Sequence, residues 1–323
     1  MHAIVQSRIF LRSAVLEIIL VVLCVALGVT APGFLSTDNL LNVLRNVSMQ
    51  GVIALGMTMV IIAGEIDLSV GSMVAFGGCL TAFVTGWLST GVGFPMPVAI
   101  GTAITLTLVT GFLVGCFTGL MRTRYQVPSF ITTLALLTGL FGAAELITNG
   151  FPLTPFPEWY NFIGGGYLLG IPFPALIFLL AFAAVQVLMN STSFGRSVYA
   201  VGGNAEAARL SGIDVNTVKT LVLAITAALA AFSGVMQSSE IMSGTANTAR
   251  GWELDIIAAV IIGGTSLMGG IGRVWGTMIG VIFLGVIMNG MTLLNVSEYW
   301  QHVVRGGLIL TAVLINRLQA KSS

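Results

Sequence analysis

Charge is the property that this sequence has least of. Only 8% of its 323 residues are charged, whereas 56% are hydrophobic and the mean hydropathy is +1.00. A water-soluble domain normally carries charge on about a quarter of its residues. Most of this chain is therefore expected to lie in lipid and to span a membrane. The net charge of +1 also provides no general attraction for nucleic acid, so a nucleic-acid partner is not expected.

The sequence also lacks the short motifs that supply common chemistries. It has no GxxxxGK[ST] loop for nucleotide phosphates, no HExxH zinc motif and no GxSxG nucleophile turn. Its three cysteines, Cys24, Cys79 and Cys116, lie in apolar runs at spacings that fit neither a metal site nor an obvious disulfide framework. We predict no catalytic group, metal or cofactor in this chain. Energy for uphill transport of a solute would have to come from an ion gradient or from a separate ATPase.

The sequence contains ten apolar runs, separated by proline, glycine and charge. Because about 20 apolar residues cross a bilayer, these runs predict an all-α integral membrane protein with about ten transmembrane helices. No large polar region interrupts them, so residues 1–323 are expected to form a single transmembrane domain. The predicted helices cover residues 14–31, 39–63, 70–88, 95–121, 128–148, 172–190, 217–240, 254–268, 274–294 and 300–316.

The basic residues predict the orientation of these helices. When the N-terminus is placed in the cytoplasm and the helices alternate, only Arg45, Arg250 and Arg305 fall toward the outside, as the positive-inside rule favours. Both termini and the connection 191–216 are then cytoplasmic, and the connection 149–171 is external. The basic residues assigned to the cytoplasmic side are Arg8, Arg12, Arg122, Arg124, Arg196, Arg209, Lys219, Arg273, Arg317 and Lys321.

The external connection 149–171 has no basic residue and is rich in aromatic residues and proline. Aromatic residues are ordinary at a membrane–water boundary. The same composition also fits a docking surface for a soluble partner, and the sequence leaves both interpretations open.

Regularly spaced glycines predict close packing between helices. Gly111, Gly115 and Gly119 follow one another at intervals of four residues, and Gly276 and Gly280 repeat this spacing. Small residues at this spacing let helix backbones approach closely in a bilayer.

Acidic residues interrupt two of the apolar segments, at 61–72 (IIAGEIDLSVGS) and 251–272. Irregular backbone at membrane depth is tolerated only against protein or a water-filled cavity, so each interruption is either a helix cap or a broken helix beside a solute pathway. Asn-Gly pairs at 149–150 and 289–290, each preceded by an acid-bearing segment, are consistent with an internal repeat of broken helices. The residues predicted from polarity and position to line a pathway are Asp67, Ser69, Asn149 and Asn289.

The stretch GNAEAARLSGI, residues 203–213, collects charges between two apolar segments on the predicted cytoplasmic side. Glu206 and Arg209 lie among good helix formers, and Gly212 is a natural helix end. A short helix along the membrane surface is therefore predicted. In a chain without its own ATP site, such a helix is a candidate contact for an ATPase. The alternative is a solvated loop whose charges only fix the topology.

Several long motifs give this sequence a specific resemblance. Glu206-Ala207-Ala208-x3-Gly212 resembles the EAA-x3-G loop of ABC importer permeases. Five longer segments are similar to those of the ribose-type monosaccharide permeases. They are GRSVYAVGGNAEAARLSGIDV, GEIDLSVGS, VPSFITTLALLTG, ELDIIAAVIIGGTSLMGGIGRVWGT and, near the end of the chain, NGMTLLNVSEYWQHVVRGGLIL. The resemblance extends from about residue 15 to 316. Ile213-Asp214-Val215-Asn216 stands where other importers have a proline after the glycine, as in the sugar subfamily.

The resemblance implies the permease subunit of an ABC importer in the inner membrane of a bacterium. Two copies, or this chain with a paralogue, would form the pathway in the lipid bilayer. A periplasmic sugar-binding protein would deliver a pentose, hexose or related polyol, and separate ATPase subunits would bind ATP and magnesium. The residues implied to contact the ATPase are Gly203, Asn204, Glu206, Ala207, Ala208, Arg209 and Gly212.

Other functions remain open at this stage. A neighbouring ABC subfamily would carry a nucleoside, a branched-chain amino acid or a furanone signal. An ion-coupled secondary transporter would need an intramembrane ion site, for which Asp67 and Asp255 are the plausible residues.

Overall fold

The computed structural model describes residues 15–321. Arg8 and Arg12, which support the predicted topology, lie outside the described residues. The described chain is mostly helical, because a helix satisfies its own backbone hydrogen bonds where lipid offers no partner. Its helices are α1 (Val15–Thr30), α2 (Thr37–Ile62), α3 (Val70–Gly86), α4 (Met96–Arg124), α5 (Ser129–Thr148), α6 (Phe162–Gly165), α7 (Phe173–Ser191), α8 (Ser193–Gly203), α9 (Ala205–Leu210), α10 (Val215–Glu240), α11 (Trp252–Ile262), α12 (Val274–Leu293) and α13 (Glu298–Lys321).

Seven segments of the described chain are long and apolar enough to cross a membrane. The other three predicted segments also form helices, but α1 has only 16 residues and α11 only 11, and α13 is not among the seven. The prediction of about ten transmembrane helices is therefore confirmed for seven segments. These are Thr37–Ile62, Val70–Val92 (α3 with the π-helical turn Trp87–Val92), Met96–Arg124, Ser129–Thr148, Phe173–Ser191, Val215–Glu240 and Val274–Leu293.

Helix α10 lies at the centre of the bundle, where it packs against α2, α3 and α4. The predicted glycine spacing on α4 makes one of these contacts, since a Cβ at Gly119 would lie 2.6 Å from Thr220 Cα. Gly111 and Gly115 are packed in the same way against the alanines of α10. The prediction that these glycines allow close backbone approach is confirmed.

The glycines of α12 serve the same purpose against α11. Gly276 lies against the Gly263 carbonyl and Gly280 lies against that of Ala259. Helix α1 is peripheral and packs on α12 through a small apolar cluster that contains Leu27.

The two ends of the bundle are distinguished by their long connections. We call the end that carries residues 191–216 the loop end, and the end that carries residues 149–171 the far end. Helix α10 begins at the loop end and finishes at the far end, where Asn161 donates to the carbonyls of Ser239 (3.0 Å) and Glu240 (3.2 Å).

The far-end connection is part of the packed structure. It contains a 3₁₀ turn (Glu158–Asn161), helix α6 and a hairpin of β1 (Tyr167–Leu168) and β2 (Ile171–Pro172) in antiparallel pairing. Tyr160 is fully buried, with its hydroxyl 2.9 Å from Ser238 Oγ. Trp159 remains exposed. Such an aromatic residue fits both a position at the membrane–water boundary and a docking surface for a soluble partner, so both interpretations stay predictions.

The span between α10 and α12 is broken twice. Residues 241–251, which we call the 241–251 connection, are non-helical, and α11 starts only after Gly251, whose φ is +85°. The predicted helix 254–268 is wrong at its end, because α11 stops at Ile262. The residues that follow include Gly264, Gly269 and Gly270, all with positive φ, a conformation that glycine adopts without the steric cost of a side chain.

Candidate functional site

The stretch predicted to contact an ATPase forms a separate, fully capped helix, α9. The side-chain Oδ1 of Asn204 accepts from the backbone N–H groups of Glu206 (3.1 Å) and Ala207 (3.0 Å). At the other end, Gly212 N–H donates to Arg209 and the next residue, Ile213, donates to Ala208. This pair of bonds is a Schellman motif, which requires the left-handed conformation that Gly212 adopts at φ +84°. The prediction of a short helix here is confirmed.

Helix α9 presents its charges outward. Glu206 and Arg209 are exposed and form an ion pair at 2.6 Å, whereas Ala208 is buried against the bundle core. The contact with the bundle is therefore made through a small side chain, and the polar face is free for another molecule. The role of this face in ATPase contact stays a prediction.

Asp214 fixes the start of α10 directly after this helix. Its carboxylate accepts from the backbone N–H groups of Asn216 (3.1 Å) and Thr217 (3.2 Å), and from the Thr217 hydroxyl at 2.5 Å. The hydroxyl bond is the main reason why the pKa of Asp214 is lowered from its usual value. Asp214 therefore stays charged near neutral pH at the end of α10 where a negative charge is favourable.

Three backbone segments meet beside α9 without intervening side chains. Gly270 N–H donates to the carbonyl of Ile62, the last residue of α2, at 2.8 Å. Gly202, near the end of α8, lies against both of these groups, so closely that a Cβ there would overlap the Ile62 carbonyl oxygen. Gly269 lies in turn against Gly64. We call this contact of Ile62, Gly202 and Gly270 the glycine junction.

A buried ion cluster lies at the same end of the bundle. Glu65 Oε1 accepts from Lys219 Nζ at 2.6 Å and from Arg122 Nε at 2.8 Å. Glu65 and Lys219 are both buried, so these charges are shielded from water. The cluster connects the start of the α2–α3 turn to the end of α4 and the second turn of α10.

Two of the predicted pathway residues, Asp67 and Ser69, form a local turn. Asp67 Oδ1 accepts from the Ser69 backbone N–H (2.8 Å) and from its hydroxyl (2.6 Å). Both residues are buried immediately before α3. Ser69 is the residue before α3, but its side chain makes no capping hydrogen bond to that helix, and the Asp67 bonds go to Ser69 rather than to the helix N–H groups. The role of both residues in a pathway stays a prediction.

The other two predicted pathway residues lie elsewhere. Asn149 ends α5 in a left-handed conformation and is exposed. Asn289, by contrast, lies within α12 and exchanges hydrogen bonds with Asn39 of α2, at 2.7 and 3.0 Å. The two Asn-Gly pairs thus have different local structures, and neither asparagine contacts the Asp67 turn through a hydrogen bond in the described chain.

The amide pair predicts a structural role for Asn289. Asn289→Leu is expected to lower the stability of the purified protein by about 1 kcal/mol, because it leaves the Asn39 side-chain oxygen without its donor. The double change Asn39→Leu/Asn289→Leu should recover only part of this loss, because it also removes the bond from Asn39 to the Phe34 carbonyl. Thermal unfolding in detergent measures both. Unchanged unfolding together with lost solute uptake would contradict the structural role and favour the pathway role.

Two acidic residues of α11, Asp255 and Glu253, lie on the broken span between α10 and α12. Asp255 of α11 pairs with Arg305 of α13, with 2.8 Å between Oδ1 and Nε, although the two groups are not aligned as a hydrogen bond. Glu253 is nine-tenths buried, and its Oε2 lies against Gly71 without a hydrogen-bond partner among the described residues. No group of three or more His, Cys, Asp or Glu in residues 15–321 is arranged to hold a metal ion.

Sequence reasoning did not assign roles to Glu65, Lys219, Gly202 or Arg305. The signal for Glu65 was present, because it lies in the quoted GEIDLSVGS motif as an acid in an apolar segment. Its partners are 57 and 154 residues away along the chain, so no local pattern identifies them.

Comparison with known proteins identifies the family. The pattern of the family described as "Branched-chain amino acid transport system / permease component" matches residues 39–313. The ribose import permease of Bacillus subtilis is 43% identical over 92% of this chain and 90% of its own length. The xylose transport permease of Haemophilus influenzae is 33% identical over 98% of each chain, and the L-arabinose ABC transporter permease of Azospirillum brasilense is 36% identical over 95% and 87%. No solved structure matches this chain.

The match covers most of the described helices, including α2 to α12. The identity to ribose import permeases extends over nine-tenths of the sequence, which confirms the resemblance found in the motifs. The chain therefore belongs to this family of ABC transporter permease components, and within it to the relatives of the ribose import permeases.

Proposed function

We propose that this chain is the membrane-spanning subunit of an ATP-driven importer that moves a monosaccharide, such as a pentose, a hexose or a related polyol, into the cell. The observation that carries the proposal is α9, a capped helix with an outward polar face that adjoins the glycine junction. The names of the relatives, which transport ribose, xylose and L-arabinose, support the substrate class.

The partners follow from this assignment. ATP and magnesium bind to separate ATPase subunits that contact Gly203 to Gly212, and a periplasmic binding protein delivers the sugar to the far end. A second copy or a paralogue completes the pathway. The chain acts as one permease domain in a bacterial inner membrane.

The proposed topology has ten crossings with both termini in the cytoplasm. Arg122 and Lys219 support it, because both lie at the loop end together with the 191–216 connection. Helix α11 is then half of a broken crossing, and α1 and α13 are the first and last crossings. A broken crossing of this kind is common near the substrate route of transporters.

The structure also suggests how movement of α9 reaches the membrane helices. Asn204 connects α9 directly to α8, whose Gly202 packs on the end of α2 and on the loop after α11. Backbone contacts of this kind are stiff, because no flexible side chain lies between the segments. Movement of α9 by an ATPase would therefore shift α2 and the broken crossing together, and expose the route to one side and then to the other.

Alternative functions differ in the energy source or in the solute. An ion-coupled transporter would use Asp67 or Asp255, but Asp67 is bonded within its own turn and Asp255 is paired with Arg305. Dependence of uptake on a co-expressed ATPase separates this alternative. A nucleoside or furanone permease is separated by the solute that stimulates ATP hydrolysis through its binding protein.

The test of the coupling role is the double change Glu206→Ala/Gly212→Pro. Proline fixes φ near −65°, whereas Gly212 has φ +84° and uses its N–H in the helix end, so α9 should lose both its charge pair and its cap. Stimulation of ATP hydrolysis by loaded binding protein in the reconstituted complex is expected to fall about tenfold or more.

The control is Thr138→Val, which removes an exposed hydroxyl in the middle of α5 that bonds its own helix at Leu134. It should leave stimulation unchanged. Unchanged stimulation in the double variant, with normal assembly, would leave 203–213 as a loop that only fixes the topology.

A further inference from the structure

A narrow polar groove lies between α3, the far half of α10 and the 241–251 connection. Its floor is formed by small and apolar residues of α3 and α10, and the walls lie too close together to admit a water molecule. The polar side chains that line it are Gln237, Ser238, Ser243, Thr245 and Thr248. We call this feature the polar groove.

The groove extends to the depth of a membrane-spanning helix. The 241–251 connection starts at the far end, where Gly244 and Leu153 exchange backbone hydrogen bonds (2.8 and 3.0 Å). It then follows α3 toward the loop end, since Gly244 lies against Gly78 and Ala249 lies against Gly71. Non-helical backbone at such a depth is tolerated where it is buried in protein or lines a water-filled cavity. The connection therefore has the position expected of a segment beside a solute route.

Two buried polar atoms, one on this connection and one in the first turn of α11, have no partner in the described chain. The hydroxyl of Ser243 faces the groove, and the carboxylate Oε2 of Glu253 lies just beyond its end nearer the loop, against Gly71. Each residue is only 9% exposed. A buried polar group without a hydrogen bond costs free energy unless a ligand or water satisfies it. The Ser243 hydroxyl thus indicates a position for a polar ligand atom.

The chemistry of the lining selects the class of ligand. Hydroxyl and amide groups both donate and accept hydrogen bonds, and none of the described residues that line the groove is charged. Such a lining suits a neutral solute with several hydroxyl groups and gives an anion no countercharge. The groove is closed to water in this conformation, so a solute would touch this wall only in passing, after the surrounding helices have moved apart.

We propose that the polar groove is a transient subsite for a neutral, polyhydroxylated solute on its way through the permease, with Ser243 and Thr248 as hydrogen-bonding residues. This inference rests on the proposed function and adds to it the position of the contact. Weak binding is expected there, because a tight intermediate site would slow release of the solute.

The test compares Ser243→Ala and Thr248→Val in proteoliposomes that contain the assembled importer with its ATPase. Initial uptake of labelled ribose, xylose and L-arabinose is measured with their loaded binding protein. For a sugar that the wild-type complex transports, each variant should raise the apparent KM about fivefold, the effect of one lost neutral hydrogen bond. ATP hydrolysis without substrate should not change.

The control is Thr105→Val, which removes an exposed hydroxyl on α4 that bonds only its own helix at Gly101. It should leave the KM unchanged. Ser243→Ala is informative for a second reason: its hydroxyl has no partner to lose, so the variant should melt no lower than the wild type.

The outcomes separate the subsite from the proposed function. A raised KM with unchanged melting supports the subsite. Wild-type uptake with an unchanged KM in both variants overturns the subsite alone, as does a raised KM that accompanies a matching loss of thermal stability. Absence of uptake of all three sugars by the wild-type complex overturns the proposed substrate class and the subsite together.

Discussion

Glu65→Gln is expected to destabilise the protein by about 3–5 kcal/mol, the usual cost of breaking a buried ion pair at one partner. The change leaves Lys219 and Arg122 close together without their shared carboxylate. Lys219 is almost fully buried and forms no other ion pair within residues 15–321, whereas Arg122 is partly reached by water. The loss should therefore come mainly from the buried lysine.

Thermal unfolding of the purified protein in detergent measures this effect. The matched control is Glu145→Gln, which breaks the exposed pair with Arg250, and such a pair contributes at most about 1 kcal/mol. Adding Lys219→Met to Glu65→Gln should recover part of the stability, because it removes the uncompensated charge. Equal unfolding of Glu65→Gln and Glu145→Gln would show that the cluster contributes no more than a surface pair.

Gly202→Ala is expected to disrupt the glycine junction and with it the response of the importer to its binding protein. The new methyl group would overlap the Ile62 carbonyl and lie 2.6 Å from Gly270 N, so the bond between these two groups has to open. Both obstacles are backbone atoms, which cannot move aside as a side chain can. Overpacking of this kind costs about 1–3 kcal/mol, and stimulated ATP hydrolysis should fall about tenfold.

A glycine outside the proposed ATPase contact provides the control for this prediction. A Cβ at Gly101, within α4, would meet nothing within 4 Å, and Gly101→Ala makes the same chemical change in a helix. The general effect of replacing glycine by alanine in a helix is therefore shared by the two variants. Normal stability and stimulation in Gly202→Ala, equal to those of Gly101→Ala, would exclude the junction as the route of movement.

Much of the fold follows from local properties of the sequence. The ten apolar runs all form helices, because their composition and the proline and glycine residues between them act over a few neighbouring residues. The helix α9, with Asn204 at its start and Gly212 at its end, was predicted for the same reason. The EAA-like loop and several longer motifs, in the correct order along the chain, also indicated the family that the comparison identifies.

The end of α11 shows where local reasoning failed. The run 254–268 is mainly apolar apart from Asp255, Thr265 and Ser266, so hydropathy extends the helix beyond its true end at Ile262. The glycines that follow adopt left-handed conformations in order to reach α2 and α8, and that requirement comes from contacts distant in sequence. Hydropathy also does not distinguish a helix face in lipid from one in the protein core, because both are apolar.

The sequence by itself determined the class of protein, the positions of its helices, the capped helix at 205–210 and the family. The tertiary structure alone decided which polar groups meet: Glu65 with Lys219, Asn39 with Asn289, and Ser243 with no protein partner at all among the described residues. The physical reason is the range of the interactions. Helix formation and capping act within one or two turns, whereas buried polar partners are brought together only when the whole bundle packs.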